Sequence, residues 1–149
     1  MKIERTVTVD VPVSAAFDFL ADFTTTTQWD PGTVSTVRME GDGGVGTTYR
    51  NTSKFLGRET SLTYVVEERV PDARIRLRGE NKTVISVDTM TFGRAAAGTE
   101  VTYTAQFTFK GLSRLVAPLL KPAFTRLGDE AEVGLRSALE GLTSGSVDA

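Results

Sequence analysis

The feature that most constrains this chain is a change of period near residue 111. From Leu112 to Leu142 the apolar residues step by threes and fours, through Leu119, Leu120, Ala123, Phe124, Leu127, Ala131, Leu135 and Leu139. Such a stripe specifies an amphipathic helix about thirty residues long, with one face to bury. Before it, from Val34, the period is two. Strands are expected near 34–40, 46–55, 58–70, 73–79, 82–93 and 99–110. Turn chemistry separates them: Gly41-Asp42-Gly43-Gly44, Leu56-Gly57, Pro71-Asp72, Gly79-Glu80-Asn81 and Ala95-Ala96-Ala97-Gly98. The separators are short, so neighbouring strands should pair as antiparallel hairpins.

The N-terminal part adds one more strand. Ile3, Val7 and Val9 alternate with Glu4, Thr6, Thr8 and Asp10, and Arg5 interrupts the apolar side. Pro12 ends the strand, because it cannot donate to a ladder. Ser14 is the expected cap of a helix that buries Phe17, Leu20 and Ala21. A second short turn follows through Thr24–Thr27 to Trp29, limited by four consecutive threonines. Pro118 and Pro122 should kink or break the first half of the long helix. Gly128 and Gly134 lie farther along it, where glycine disfavours helix and marks close packing or room for a ligand.

At 149 residues the chain fits one domain, expected over residues 1–142, with a flexible polar tail at 143–149. There is no cysteine and no histidine. Disulfides, thiolate nucleophiles and imidazole acid–base chemistry are therefore excluded. No metal site and no cofactor are expected. A net charge of −2 argues against phosphate-driven nucleic-acid binding. Arg74, Arg76 and Arg78 share one strand face, read either as a solvated outer face or as an anion-binding stripe. The residues from Met1 to Val7 carry no apolar leader, and no stretch reaches 18 apolar residues. The expectation is a cytoplasmic protein without integral membrane association, as a monomer or a homodimer.

Strand, two short helices, six strands and a long helix is an unusual order. With it go Thr6-Val7-Thr8-Val9-Asp10-Val11-Pro12, Phe17-Asp18-Phe19-Leu20-Ala21-Asp22, Trp29, Gly98-Thr99-Glu100-Val101 and Phe109-Lys110-Gly111. In these features the chain resembles the START-like superfamily, also called helix-grip, Bet v 1-like or SRPBCC. Within it, the chain is similar to the polyketide cyclase/dehydrase and lipid-transport branch. The resemblance implies an α+β helix-grip fold. A curved antiparallel seven-stranded sheet would wrap around the long C-terminal helix, with two short helices after strand 1. It also implies a cavity between sheet and helix for a hydrophobic small molecule. A shared fold does not carry one reaction.

Strand parity then proposes the cavity face. Val37, Met39, Tyr49, Leu62, Tyr64, Val66, Ile75, Leu77, Val101, Tyr103, Phe107 and Phe109 are expected inward, with Leu119, Leu120, Ala123, Phe124, Leu127 and Ala131 from the helix. All three tyrosines fall on the inward parity, which suits a half-polar ligand. The strand at 82–93 is ambiguous. If Met90 and Phe92 face inward, so do Val84, Ser86 and Asp88; otherwise Asp88 sits outside in water. An inward Asp88 needs a partner such as Arg5, a tyrosine or water, or its pKa rises. Trp29 either covers the pocket mouth or anchors the short helices.

The expected ligand-binding set is therefore Trp29, Tyr49, Asn51, Tyr64, Phe92, Tyr103, Phe107, Leu120, Phe124 and Leu127. The acid–base candidates are Asp88, Tyr64, Tyr103 and Arg5. Binding of a hydrophobic or aromatic, lipid- or polyketide-like molecule is the leading reading. A polyketide cyclase or dehydratase acting in the same cavity is the alternative, and a groove for a partner protein is a third.

Overall fold

Two consecutive strands at opposite edges of one sheet organise the molecule. The computed structural model describes residues 1–147, with side chains through Leu142. The seven strands are β1 (Lys2–Val9), β2 (Thr33–Glu40), β3 (Thr48–Phe55), β4 (Arg58–Val70), β5 (Arg74–Glu80), β6 (Val84–Ala95) and β7 (Gly98–Phe109). Their order in the sheet is β1-β7-β6-β5-β4-β3-β2, and every neighbouring pair is antiparallel. The chain must cross the whole sheet between β1 and β2. It does so through α1 (Val13–Ala21), a 3-10 turn (Phe23–Thr25) and α2 (Thr26–Trp29).

Local chemistry accounts for the joins. Leu56 and Gly57 both have positive φ, 52° and 81°, and link Phe55 to its partner Arg58. That is the twist-matched two-residue hairpin loop. Gly98 has φ +131°, and a Cβ there would lie 2.3 Å from the Val9 carbonyl oxygen. Next to it, buried Thr99 donates its hydroxyl to the Val11 carbonyl at 2.7 Å. The β7 start is thereby locked to the end of β1.

The helical stripe breaks where the prolines stand. α3 (Ser113–Val116) is followed by a 3-10 turn (Ala117–Leu120) and then α4 (Lys121–Val147). The expectation of a flexible tail over 143–149 concerns side chains, and at 148–149 backbone, outside the described residues. From its middle onward α4 buries Ala131, Leu135 and Leu139 against the core. Gly134 explains how the helix gets so close: a Cβ there would sit 1.9 Å from the Trp29 carbonyl oxygen. Gly128 likewise lies against Ile3 and Arg5. Both glycines serve close packing.

Three expectations are corrected. Ser14 is not the cap of α1; Pro12 holds that position, and no side chain caps the helix. Val37 and Met39 point to solvent, each 54% exposed, while Thr36 is the buried residue of β2. Two register shifts, between Thr33 and Ser35 and between Arg38 and Glu40, bend this edge strand and break simple alternation. Leu119 is also exposed. The 3-10 turn around Pro118 has three residues per turn and rotates the apolar stripe off the core. The arginines of β5 pair with carboxylates, Arg74 and Arg76 with Glu68 and Arg78 with Glu80, as a solvated face does.

Alanine in a helix interior normally gains about 1 kcal/mol over glycine. Gly134→Ala is expected to reverse that sign and lower the urea midpoint. Gly141→Ala, where nothing lies within 4 Å, is expected to raise it. Equilibrium urea unfolding of both variants checks the pair.

Candidate functional site

The concave face is shared by two helices. α1 covers one part: Phe17 packs edge-on against Phe92 at 5.3 Å, and both are buried. The N-terminal half of α4 stands over the other part, and there the space is not filled. A cavity of about 240 Å³ remains, roughly the room of eight liquid waters. That lies just under the ~300–1,000 Å³ of ordinary small-molecule sites.

The cavity has an apolar wall. Phe124 of α4 sits among Phe55, Phe107 and Phe109, with ring centres 4.8, 4.8 and 5.9 Å away. Leu62, Leu120 and Leu127 complete this wall. Thr83 and Val116, both exposed, lie at the rim with Ser113. Lys110 and Ser113 tie the start of α3 to the sheet, through Glu80, the Asn81 carbonyl and the Thr83 carbonyl.

The floor is polar and deeply buried. Asp88 of β6 faces inward, 7% exposed. Its Oδ1 accepts from the Ser86 hydroxyl at 2.7 Å, and its Oδ2 accepts from the Tyr103 hydroxyl at 3.3 Å. Burial pushes the Asp88 carboxyl up to about 7, aided by the nearby Asp30 charge and opposed by the Ser86 and Tyr103 hydrogen bonds. Burial also raises both tyrosines well above 10, with the Asp88 charge adding to it. Tyr64 has its room because its partner across the sheet is Gly79, where a Cβ would fall 2.6 Å from the ring.

Trp29 closes the same end. It is 3% exposed, its ring meets Tyr103 edge-on at 5.3 Å, and its indole N–H has no partner among the described residues. It anchors α2 beneath α4 and lines the cavity, rather than covering the mouth. Asn51 is bonded on both sides: its amide donates to Thr33 and Thr36, and its oxygen accepts from Ser53.

Nine of the expected residues line this one cavity: Trp29, Asn51, Tyr64, Asp88, Tyr103, Phe107, Leu120, Phe124 and Leu127. Three do not. Tyr49 is buried and packs on Phe23, and Phe92 lies under α1. Arg5 does not reach Asp88. Its guanidinium bonds Asp129 Oδ1 at 2.9 Å and the Thr125 carbonyl at 3.2 Å on the flank of α4. A long side chain bound for charge leaves the apolar face its backbone parity assigns.

Sequence reasoning missed Asp30, which lines the cavity just after α2. Its Oδ1 accepts from the Gly32 amide at 3.2 Å and its Oδ2 from the Thr33 hydroxyl at 2.9 Å. Burial raises its pKa despite these bonds. The only signal was adjacency to Trp29, hidden because Asp30-Pro31-Gly32 reads as a plain turn.

The polyketide cyclase / dehydrase and lipid transport family model matches residues 1–140, and the chain belongs to that family. Many solved structures share the fold. TTHA0849 from Thermus thermophilus has TM-score 0.80 at 14% identity, over 95% of this chain and 99% of that one. The Zhui aromatase/cyclase from Streptomyces sp. R1128 has TM-score 0.78 at 17% identity, over 94% and 93%. Ara h 8.0201 has TM-score 0.60 at 18% identity, over 92% and 98%. At these identities the likeness is one of fold, the Bet v 1-like helix grip. No curated protein matches the sequence. Among the described residues, no helix is long and apolar enough to cross a membrane.

The buried acid makes stability depend on pH. The folded protein keeps the Asp88 proton to about pH 7, whereas the ordinary value is 3.8. Between those values the unfolded chain ionises first, so stability present in acid is lost as pH rises. The expected loss for Asp88 is at most about 4 kcal/mol at 1.36 kcal/mol per unit. Urea midpoints from pH 4 to pH 8 check it. Asp88→Asn is expected to flatten the slope, leaving the part due to Asp30, whose burial also raises its pKa.

Proposed function

We propose that the protein binds a hydrophobic or aromatic small molecule, lipid- or polyketide-like, in the cavity between the sheet and α4. The observation that carries this reading is the unfilled space itself. Its lining includes five phenylalanines and three leucines, and its floor holds Asp88, Ser86, Tyr64 and Tyr103. A core built only for stability closes such space, because voids forfeit contact energy. An apolar wall with a few convergent polar groups is the usual make-up of a ligand site. Trp29, Tyr64, Tyr103, Phe107, Leu120, Phe124 and Leu127 are the ligand contacts in this reading.

A second reading is favoured by one specific arrangement. Asp88 carries a carboxyl that titrates near 7 and hydrogen-bonds the Tyr103 hydroxyl. A group poised near neutral pH is suited to general acid–base catalysis. In that reading Asp88 moves the proton in a cyclisation or dehydration, and Tyr103 and Tyr64 hold the developing oxygen charge. The Zhui structure, named as an aromatase/cyclase, shares the fold and keeps this reading open.

Native mass spectrometry of gently purified protein, followed by solvent extraction, tests the binding reading. A retained apolar molecule is expected. Leu62→Trp, which fills the wall, is expected to weaken its retention at least ~10-fold while the chain stays folded. A wild-type cavity that retains nothing, and binds no naphthalene-sized probe, contradicts it. If the protein is a cyclase or dehydratase, Asp88→Asn is expected to lower turnover by about 100- to 10,000-fold. Unchanged turnover in that variant removes Asp88 from the mechanism.

A further inference from the structure

The polar end of the cavity holds two carboxylates and no cation. Asp30 comes from the loop after α2, and Asp88 comes from the middle of β6. Both line the same space, and among its described lining residues there is no lysine or arginine. The chain has no histidine. Arg5, the counter-ion that strand parity offers, is held by Asp129 and the Thr125 carbonyl on α4. A buried carboxylate such as Asp88 without a paired cation is costly, and the half-buried Asp30 in the same site raises its proton affinity further. Each still has acceptor capacity, since a carboxylate offers about four lone-pair sites and each here accepts two hydrogen bonds.

A second, independent observation lies beside them. The Trp29 indole N–H is buried, has no partner among the described residues, and belongs to a side chain lining the same end. It is a donor only, so it calls for an acceptor atom. The aromatic rings of Trp29, Tyr64 and Tyr103 also line this end, and such faces attract cations.

The geometry points to a ligand whose apolar body ends in a basic nitrogen and a neighbouring oxygen, the ammonium held by Asp30 and Asp88 and the oxygen by Trp29. This rests on the binding reading and narrows its ligand class. The ammonium supplies the positive charge the floor lacks. A ligand carboxylate would instead add a third negative charge. A neutral alcohol offers one donor hydrogen where an ammonium offers three.

Three probes on one scaffold separate these cases: 2-amino-1-(2-naphthyl)ethanol, 1-(2-naphthyl)ethane-1,2-diol and 2-hydroxy-2-(2-naphthyl)acetic acid. Calorimetric titration at pH 7.5 is expected to rank them amine, diol, acid. The amine should bind at least ~10-fold tighter than the diol, as for a charge-assisted pair. Asp88→Asn and Asp30→Asn should each cut that preference to about threefold or less, and Trp29→Phe should weaken all three probes alike.

A measurement on the wild-type protein needs no variant to fold. Amine affinity should rise from pH 5.5 to 8 as the floor ionises, while diol affinity stays flat. The titratable groups facing Asp88 are Asp30, Tyr64 and Tyr103; from α4 the cavity is lined by Phe124, Leu127, Gly128 and Ala131, which do not titrate. Equal binding of amine and diol, tightest binding of the acid, or an amine preference kept in both Asn variants overturns the inference and leaves the cavity reading standing. Binding of none of the three overturns both.

Discussion

The rest of this structure depends on the close seating of α4 on α2 and β1. Gly134 lets the helix touch the carbonyl of Trp29, and Gly128 lets it touch Ile3 and Arg5. Leu135 and Leu139, both fully buried, then close the described part of its C-terminal half. Toward its N-terminus the helix lines the cavity through Phe124, Leu127 and Gly128. Pro118 and Pro122 prevent the preceding residues from continuing it, so α3 and the 3-10 turn form a separate flap over the rim. The cavity lies between that flap, the N-terminal half of α4 and the sheet.

The polar floor follows from the same constraint. Seating α4 on α2 buries Trp29 and draws Asp30, the next residue, under the helix. The opposite wall is β6, whose inward parity carries Ser86 and Asp88 in register with Phe107 and Ala105 of β7. One close approach thus helps to enclose two carboxylates, Asp88 buried and Asp30 partly so. They sit among hydroxyls, which soften the desolvation without neutralising the charge. That combination separates this cavity from a void in a core, because an empty apolar void needs no acids around it.

Much of this was legible in the sequence. The alternation of β3, β4, β6 and β7, the turn pairs between them and the long C-terminal stripe specify the sheet and its helix. The parity of Val84, Ser86 and Asp88 was correctly tied to that of Met90 and Phe92, since a strand has only two faces. What parity cannot tell is which helix covers a given part of a face. Tyr49 and Phe92 are inward residues, but α1 and the turn after it cover them, so they do not reach the cavity. β2 misled for a different reason: two bulges and an edge position put Val37 and Met39 in water. Arg5 misled because its reach exceeds its parity, and Asp30 was concealed by turn chemistry.

The most direct test is the titration of the Asp88 side-chain carboxyl carbon by NMR in aspartate-labelled protein, assigned with Asp88→Asn. A floor of the kind described holds that carboxyl protonated up to about pH 7. It also gives a titration that moves to lower pH when a naphthyl amino alcohol is added. A carboxyl that titrates near 3.8, the ordinary value, and ignores the added amine would mean that Asp88 stands in water. The buried polar floor, and the ligand chemistry built on it, would then be wrong.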